Sequence, residues 1–228
     1  MIFITGDTHG LTDFNKLHVF AQETPSITYE DYMIVAGDCG VLWSNETLAK
    51  YLNHYKELPF TVLFVDGNHE NFDMLASYPV EEWKGGKIHR IADNVIHLMR
   101  GQVFIIEGKT IFTFGGATST DRGWRVQGLS WWPEELPSLA DYDEALANLT
   151  RHGFKVDIIV THSCDERALH YPPVSTSLKS AKVYPDNRTL TNFEEMVDYG
   201  HWYFGHYHED GDLTDKKTVL YHEIRKIH

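Results

Sequence analysis

Cysteine is scarce in this chain, which has only Cys39 and Cys164 among its 228 residues. Two cysteines cannot form the disulfide framework that supports many small secreted domains. Each lies close in sequence to a polar residue considered below, Asp38 or His162, so thiolate ligation of a metal is one interpretation. We favour the other interpretation, that both are small buried side chains packed beneath these polar residues.

Positive charge and long apolar runs are also scarce. Lysine and arginine number 20 against 33 acidic residues, which gives a formal net charge of −13, so general nucleic-acid binding is not expected. No stretch approaches the roughly 20 apolar residues of a membrane span, and the first residues show neither a basic leader nor a secretory segment. We therefore expect a cytoplasmic protein without membrane contact, and one domain over residues 1–228.

Polar clusters follow five apolar segments that have the pattern of buried strands. The clearest cluster comes directly after the β-branched run that ends at Val65. In open α/β sheets, ligands bind outside the carboxyl ends of the strands, so side chains at five such ends can converge on one site. The polar residues are Asp7 and His9, Asp38, Asn68 and His69, His162, and His206 and His208.

The segments around these clusters predict an α/β fold. Strand, glycine-flanked loop and helix occur three times, with strands near residues 2–5, 32–36 and 60–65, which is typical of a parallel sheet with right-handed crossovers. Four short strands between residues 88 and 114 are separated by turn signals and predict antiparallel hairpins in a second sheet. The expected fold is a mixed two-sheet β-sandwich flanked by helices.

Two long loops interrupt this pattern. The loop at 115–137 contains three tryptophans, and an aromatic cluster beside prolines more often pins a loop to the core than stacks a nucleobase. The loop at 163–190 has little periodicity, and Thr191 with Glu194 has the capping-box spacing that starts a helix. For Glu70 we favour the N-cap of a following helix over a hydrogen bond near the site.

The residue types in the five clusters suit divalent metal ions. Asp7 with His9, and His206 with His208, share an i, i+2 spacing that places both side chains on one face of extended backbone. Oxygen and imidazole donors together fit Mn, Fe or Zn, whereas Mg and Ca prefer oxygen alone. The set is too large for one tetrahedral ion. It predicts two ions, ~3.5 to 4 Å apart and sharing a carboxylate, that activate a bridging water for in-line attack at phosphorus.

In their order along the chain, five blocks resemble the calcineurin-like metallophosphoesterases: Gly6-Asp7-Thr8-His9, Gly37-Asp38, Gly67-Asn68-His69-Glu70, Thr161-His162 and Gly205-His206-Tyr207-His208. The resemblance spans residues 6–208 and implies the family's two-sheet fold, phosphoester hydrolysis and two divalent ions, with Mn or Fe preferred to Zn. Carried over by position, it implies one ion held by Asp7, His9 and His208, a second held by Asn68, His162 and His206, and Asp38 as the bridge. It also implies that His69 protonates the leaving group or stabilises the transition state.

The chain departs from the family pattern in two places. Many members carry a second acid three positions after the bridging aspartate, where it helps to orient the histidine, and here that position is Val41. The Ser/Thr protein phosphatase branch also carries arginines beside the second and third blocks, and these are missing here. Arg122 and Arg125, in the first long loop, are candidates for contact with the substrate phosphate, although a single loop arginine is more often a solvated surface residue.

Together these patterns favour a metal-dependent phosphoesterase that acts on a small phosphorylated substrate. Phosphodiesters are slightly favoured because the arginines of the monoester branch are missing. One alternative is a phosphomonoesterase for nucleotides or phosphoproteins. Another, of a different class, is a scaffold of the same fold without catalytic activity, and the complete ligand set argues against it.

Overall fold

The computed structural model describes residues 1–170 and 181–228. Within these residues the strands are β1 (Ile2–Thr5), β2 (Tyr32–Val35), β3 (Thr61–Phe64), β4 (Val80–Trp83), β5 (Gly86–Ala92), β6 (Val95–Leu98), β7 (Gln102–Ile106), β8 (Lys109–Phe114), β9 (Lys155–Thr161), β10 (Asp198–Phe204), β11 (Gly211–Thr214), β12 (Lys217–Val219) and β13 (Arg225–Ile227). The helices are α1 (Asn15–Glu23), α2 (Asn45–Lys56), α3 (Phe72–Ala76), α4 (Leu139–Arg151) and α5 (Pro185–Met196), with 3₁₀ turns at Arg122–Trp124, Pro133–Glu135 and Ala168–His170. No helix in the described part of the chain combines the length and apolar character needed to cross a membrane.

The strands form a seven-stranded and a six-stranded sheet. The first has the order β13-β1-β2-β3-β6-β5-β4, and its strands β1, β2, β3 and β6 run parallel. The second has the order β11-β12-β10-β9-β8-β7, and its strands β12, β10, β9 and β8 run parallel. Antiparallel strands lie at the edges of both sheets. This arrangement confirms the predicted mixed two-sheet fold flanked by helices.

The alternation of side chains along each strand divides the core into three layers. In β3, Leu63 packs between the two sheets, whereas Val62 and Phe64 pack against the helices on the outer face. In β8, Ile111 packs between the sheets and Phe112 packs outward, in the cluster that includes residues of α4 and α5. Because both faces of each sheet are buried, the central strands are almost continuous apolar runs.

The strands predicted between residues 88 and 114 divide between the two sheets. β7 and β8 form an antiparallel hairpin in the second sheet, as predicted. β5 and β6 are also antiparallel, but β6 pairs with β3, so the prediction that all four belong to the second sheet is wrong. Turn residues determine local pairing, whereas the sheet that a hairpin joins depends on which faces it can bury.

The loop predicted over residues 163–190 ends earlier than expected. Helix α5 begins at Pro185, and Thr191 lies inside it, so the predicted helix start is wrong. The Thr191 hydroxyl donates to the carbonyl of Asn187 in the preceding turn, which is a mid-helix contact. Proline suits the first turn of a helix, and this signal was missed. Residues 171–180 of the predicted loop lie outside the described residues.

Candidate metal centre

The polar clusters predicted from the sequence lie together where β1, β2, β3, β9 and β10 end. These five strands present their carboxyl ends at the same edge of the sandwich, as the parallel pairing of each sheet requires. Three groups of donor atoms lie within 4.8 Å of one another: Asp7, His9 and His208; His9, Asp38 and His69; and Asp7, Asp38 and His162.

Asn68 and His206 lie at the same place but with different contacts. The Asn68 Oδ1 atom is 3.2 Å from Nε2 of His162. His206 belongs to none of the three donor groups among the described residues, but its ring centroid is 4.9 Å from that of His162. Its backbone N–H also donates to Oδ1 of Asp7 at 3.1 Å. The structure therefore brings all seven predicted ligands together, with His206 in contact through its ring and its backbone.

Asp38 lies between two of these groups. Its Oδ2 atom is 3.4 Å from Nε2 of His9, and its Oδ1 atom is 3.3 Å from Nε2 of His162. The same Oδ1 atom accepts the backbone N–H of His69 at 2.7 Å. A carboxylate with one oxygen directed to each group has the arrangement of a shared ligand.

Hydrogen bonds fix the orientation of two imidazoles. Nδ1 of His9 donates to the Asp13 carboxylate at 2.7 Å, and Nδ1 of His162 donates to the carbonyl of Ala36 at 2.8 Å. Each ring therefore directs Nε2 toward Asp38 and the centre. A histidine held in this way by an outer carboxylate or carbonyl is the usual support of a metal ligand.

The backbone around the centre is unusual. In the described chain, four of the seven non-glycine residues with positive φ are predicted ligands: His9 at 44°, Asp38 at 49°, His206 at 68° and His208 at 51°. Such a conformation costs on the order of 1–3 kcal/mol per residue and is often found at functional sites. Gly67 has a related constraint, because a Cβ there would lie 2.0 Å from Oδ1 of Asp38.

Without a cation, the carboxylates and imidazoles of the centre would compete for protons. Burial alone would lower the pKa of His162, but Asp38 and Asp7 outweigh it and raise the pKa to about 10. Burial is likewise outweighed at His9, where the pKa rises to about 9, with Asp38 as the main partner. The pKa of Asp38 lies well below its usual value because His162 outweighs the effect of burial. A bound cation would take the place of these protons.

The residues at this centre fit divalent cations. Asp7 is fully buried, and within the described part of the chain its Oδ2 atom has no hydrogen bond of good geometry, although Nε2 of His208 lies 3.2 Å away. A buried carboxylate oxygen without a hydrogen bond is costly unless a charge compensates it. Carboxylate, carboxamide and imidazole donors together suit Mn, Fe or Zn.

His69 contacts an arginine at the edge of the centre. Nη2 of Arg125 lies 2.7 Å from Nε2 and 3.0 Å from Nδ1 of His69. A guanidinium has donors only, so the imidazole accepts this bond as the neutral ring. Burial lowers the pKa of His69, Asp38 opposes that effect, and Arg125 lowers the pKa further. The Trp43 ring stacks beside His69 with a centroid distance of 6.3 Å.

The loop at 115–137, which we call the tryptophan loop, delivers Arg125 to the centre. Arg122 lies instead over Trp131, with its guanidinium carbon 3.8 Å from the ring centroid. Trp131 and Trp132 are buried, as the prediction that the tryptophans pin the loop requires. Trp124 is 93% exposed, so that prediction is wrong for this residue.

Glu70 does not cap helix α3, so that prediction is wrong. Asn71 is the cap, because its side chain accepts a backbone N–H of the first turn. The Glu70 carboxylate accepts the backbone N–H groups of Cys39 and Gly40 at 2.7 and 3.2 Å, and so holds the loop next to Asp38.

Both cysteines are buried in the core, as predicted. Cys39 packs in the cluster beneath the first sheet's helices, and Cys164 packs in the cluster beneath the second sheet's helices. Burial raises the pKa of both thiols well above the usual range, so neither is a thiolate in the metal-free chain.

Three polar residues near the centre were missed from the sequence. Asp13 had a local signal, because it follows His9 by four positions. Ser119 and Glu135 had none, since they meet the centre only through the path of the tryptophan loop. Ser119 accepts the Asn68 Nδ2–H at 3.2 Å, and its hydroxyl donates to Glu135 at 2.5 Å.

The chain was compared with protein-family models, curated proteins and solved structures. The family model of the calcineurin-like phosphoesterases matches residues 1–210, a range that contains all five polar clusters. No curated protein matches the chain significantly. Among solved structures, a phosphopantetheinyl hydrolase from Mycobacterium tuberculosis is similar, with 16% identity and a TM-score of 0.47, over 96% of this chain and 87% of that chain.

Proposed function

The chain belongs to the calcineurin-like phosphoesterase family and is thus a metal-dependent phosphoesterase, and we propose that it hydrolyses phosphodiesters at a centre of two divalent cations. The main support for two cations is Asp38, which directs one oxygen to His9 and the other to His162. We assign one cation to Asp7, His9 and His208, the other to Asn68, His162 and His206, and Asp38 to both. The donor set favours Mn or Fe, with Zn as the alternative.

When bound, the cations would supply positive charge to the phosphoryl oxygens and activate a water as nucleophile. Asp13 and the Ala36 carbonyl hold two imidazoles in place for those cations. Arg125 would donate to a phosphoryl oxygen, since a guanidinium fork suits that geometry. We assign His69 to the leaving group, where its ring N–H would stabilise the developing oxyanion.

The role of His69 can be tested with two leaving groups. His69→Ala should lose on the order of 10² to 10⁴ in rate on alkyl esters and less on nitrophenyl esters, whose leaving group needs little stabilisation. Metal content should stay unchanged, because His69 is not among the assigned ligands. Equal losses on both esters would count against a role at the leaving group.

Two cavities flank the centre and support a diester substrate. A cavity of about 200 Å³ lies beside His69 and is lined by Trp43 and Tyr51. Another, of about 430 Å³, lies beside His206 and is lined by Tyr184 and other described residues. A phosphodiester carries two organic groups and a monoester only one, so space on both sides favours a small diester.

A phosphomonoesterase remains the second candidate, because Arg125 brings a cation that a dianionic ester would use. However, Nε of Arg125 pairs with Asp121 at 2.9 Å, and Glu135 lies 3.7 Å from its Nη1 atom. These carboxylates offset the charge of the guanidinium, which again favours the monoanionic diester.

The first experiment is reconstitution of metal-stripped protein with Mn²⁺, followed by hydrolysis of bis-nitrophenyl and mono-nitrophenyl phosphate. For wild type we expect two Mn²⁺ per chain and faster turnover of the diester than of the monoester. Asp38→Asn should bind less metal and show no turnover. A faster monoester would select the second candidate. One cation per chain at full activity would contradict the shared carboxylate, and a protein that retains no metal and has no activity would indicate the scaffold.

A further inference from the structure

The orientation of the Asn68 carboxamide matters for any cation at this centre. Its oxygen can ligate a metal, whereas its NH₂ group cannot. Oδ1 lies 3.2 Å from Nε2 of His162, and Nδ2 donates to Oγ of Ser119 at 3.2 Å. The side chain is therefore held at both ends, with its oxygen on the side of the predicted ligands.

Ser119 determines which end faces the centre. Its hydroxyl has one proton, which it donates to Oε2 of Glu135 at 2.5 Å. Ser119 consequently presents a lone pair to Asn68, and only the NH₂ end of the carboxamide can meet it. Both Ser119 and Glu135 are buried, so water does not compete for these bonds.

The second oxygen of Glu135 faces Arg125. In the described part of the chain this Oε1 atom has no hydrogen-bond partner, and the nearest charge is Nη1 of Arg125 at 3.7 Å. Burial raises the pKa of Glu135 to about 7, while Ser119 and Arg125 favour the charged form. Arg125 in turn contacts His69. The buried Glu135 carboxylate thus lies between Ser119, which contacts Asn68, and Arg125, which contacts His69.

A backbone hydrogen bond and the Trp132 side chain hold this part of the tryptophan loop independently of the Ser119 hydroxyl and the Glu135 carboxylate. The carbonyl of Glu135 accepts the N–H of Ala117 at 3.1 Å. The indole of Trp132 donates to the Asp73 carboxylate at 2.8 Å. Fixing the loop therefore does not require the Ser119 hydroxyl or the Glu135 carboxylate.

We infer that Ser119 and Glu135 are positioning residues: Ser119 holds the Asn68 oxygen toward the second cation, and Glu135 holds both Ser119 and Arg125. This inference rests on the proposed function, because it assigns Asn68 as a ligand. Removing outer hydrogen bonds of this kind typically lowers metal affinity by 10- to 100-fold.

The test for Ser119 is metal retention, not turnover. In Ser119→Ala we expect the second Mn²⁺ to bind roughly 10- to 100-fold more weakly, measured by metal analysis after dialysis and by the loss of the spin-coupled Mn²⁺ signal in electron paramagnetic resonance. Ser119→Thr keeps the hydroxyl and should retain both ions, whereas Ser119→Cys, with its weak acceptor, should lose the second. Ser130→Ala removes another hydroxyl of the same loop and is the matched control.

Glu135→Gln separates the two contacts of the carboxylate. Glutamine can still accept the Ser119 hydroxyl, so both Mn²⁺ should be retained, but Arg125 loses its charged neighbour. Because the Glu135 charge then no longer offsets that of the guanidinium, we expect inorganic phosphate to bind the Mn²⁺-loaded protein more tightly, by a few-fold to roughly 10-fold, measured by titration calorimetry.

The outcomes distinguish this inference from the proposed function. A wild-type chain that never binds two Mn²⁺ would overturn the proposed centre itself. If the wild-type chain binds two Mn²⁺ tightly and Ser119→Ala and Ser119→Cys both retain them as tightly as wild type, the role of Ser119 alone would be overturned. Equal losses in Ser130→Ala would indicate a general loop effect and would also overturn it. Unchanged phosphate affinity in Glu135→Gln would overturn the role of Glu135 toward Arg125.

Discussion

Two regions of the molecule meet at the candidate centre, and they position their side chains in different ways. The strand-end loops are residues 6–10, 37–40, 67–70, 162–163 and 205–208, which begin within three positions of the ends of β1, β2, β3, β9 and β10. They carry the predicted ligands on short, strained backbone next to buried strands. The tryptophan loop reaches the same place by a long path and carries Ser119, Arg125 and Glu135. The difference suggests that the strand-end loops supply metal chemistry, whereas the tryptophan loop supplies orientation and contact with the substrate.

The largest difference between the regions should appear in a pair of Asp→Asn variants. Asp38→Asn removes the charge of the shared carboxylate, so we expect loss of metal and a rate lowered roughly 10³-fold or more. Asp121→Asn makes the same change in the tryptophan loop, where the carboxylate pairs with Arg125, and should keep both cations. Metal analysis and diester turnover of both variants provide the measurement. Full activity of Asp38→Asn would contradict the assignment of the centre.

A pair of Gly→Ala variants makes the same comparison for the backbone. A Cβ at Gly67 would lie 2.0 Å from Oδ1 and 2.3 Å from the backbone nitrogen of Asp38, so the carboxylate must move. We expect a loss of roughly 10²-fold in kcat, since displacements of about 1 Å at a site have such effects. At Gly123, in the tryptophan loop, no atom of the described residues lies within 4 Å of the added Cβ, and Gly123→Ala should be neutral. Similar losses in both variants would remove the distinction.

The strand-end loops could be predicted because their information is local. Each predicted ligand follows a buried apolar run within a few positions, and the carboxyl ends of parallel strands meet at one edge. The same reasoning could not assign β5 and β6 to the first sheet. Turn signals predict that β5 pairs with β6, but they do not predict that β6 also pairs with β3. The start of α5 was missed for a related reason, since a spacing at Thr191 was preferred to the proline that begins the helix.

The contacts that the tryptophan loop makes with the centre could not be predicted from the sequence. Asn68 meets Ser119 across 51 positions, and His69 meets Arg125 across 56. Such contacts depend on where Trp131 and Trp132 are buried, and no spacing in the sequence encodes them. Arg122 and Arg125 were equivalent candidates in the sequence, and only the fold separates them.

Arg125 and Arg122 therefore provide the third test. Arg125→Ala removes a charged donor beside His69, and we expect kcat/KM for the diester to fall roughly 10-fold or somewhat more. Arg122→Ala removes a guanidinium that packs on Trp131, and its effect should stay within about 3-fold. Arg125→Lys keeps the charge without the fork and should recover only part of the loss. Equal effects of the two alanine variants would show that position at the centre is not what matters.

The smallest effect is a change in stability with pH that arises in the tryptophan loop. Burial raises the pKa of Glu135 to about 7 from its ordinary value of 4.5. Between these values the folded chain binds more protons than the unfolded chain, so this carboxyl stabilises the fold below pH 4.5 and that contribution is lost as pH rises through about 7. One proton accounts for at most ~1.4 kcal/mol per pH unit. Urea unfolding of metal-free protein from pH 4.5 to 8 should therefore show a flatter profile in Glu135→Gln than in wild type. Glu134→Gln changes the exposed neighbour and should leave the wild-type profile unchanged. Parallel profiles for wild type and Glu135→Gln would mean that the carboxyl is not held in the buried, hydrogen-bonded position on which the role of the loop depends.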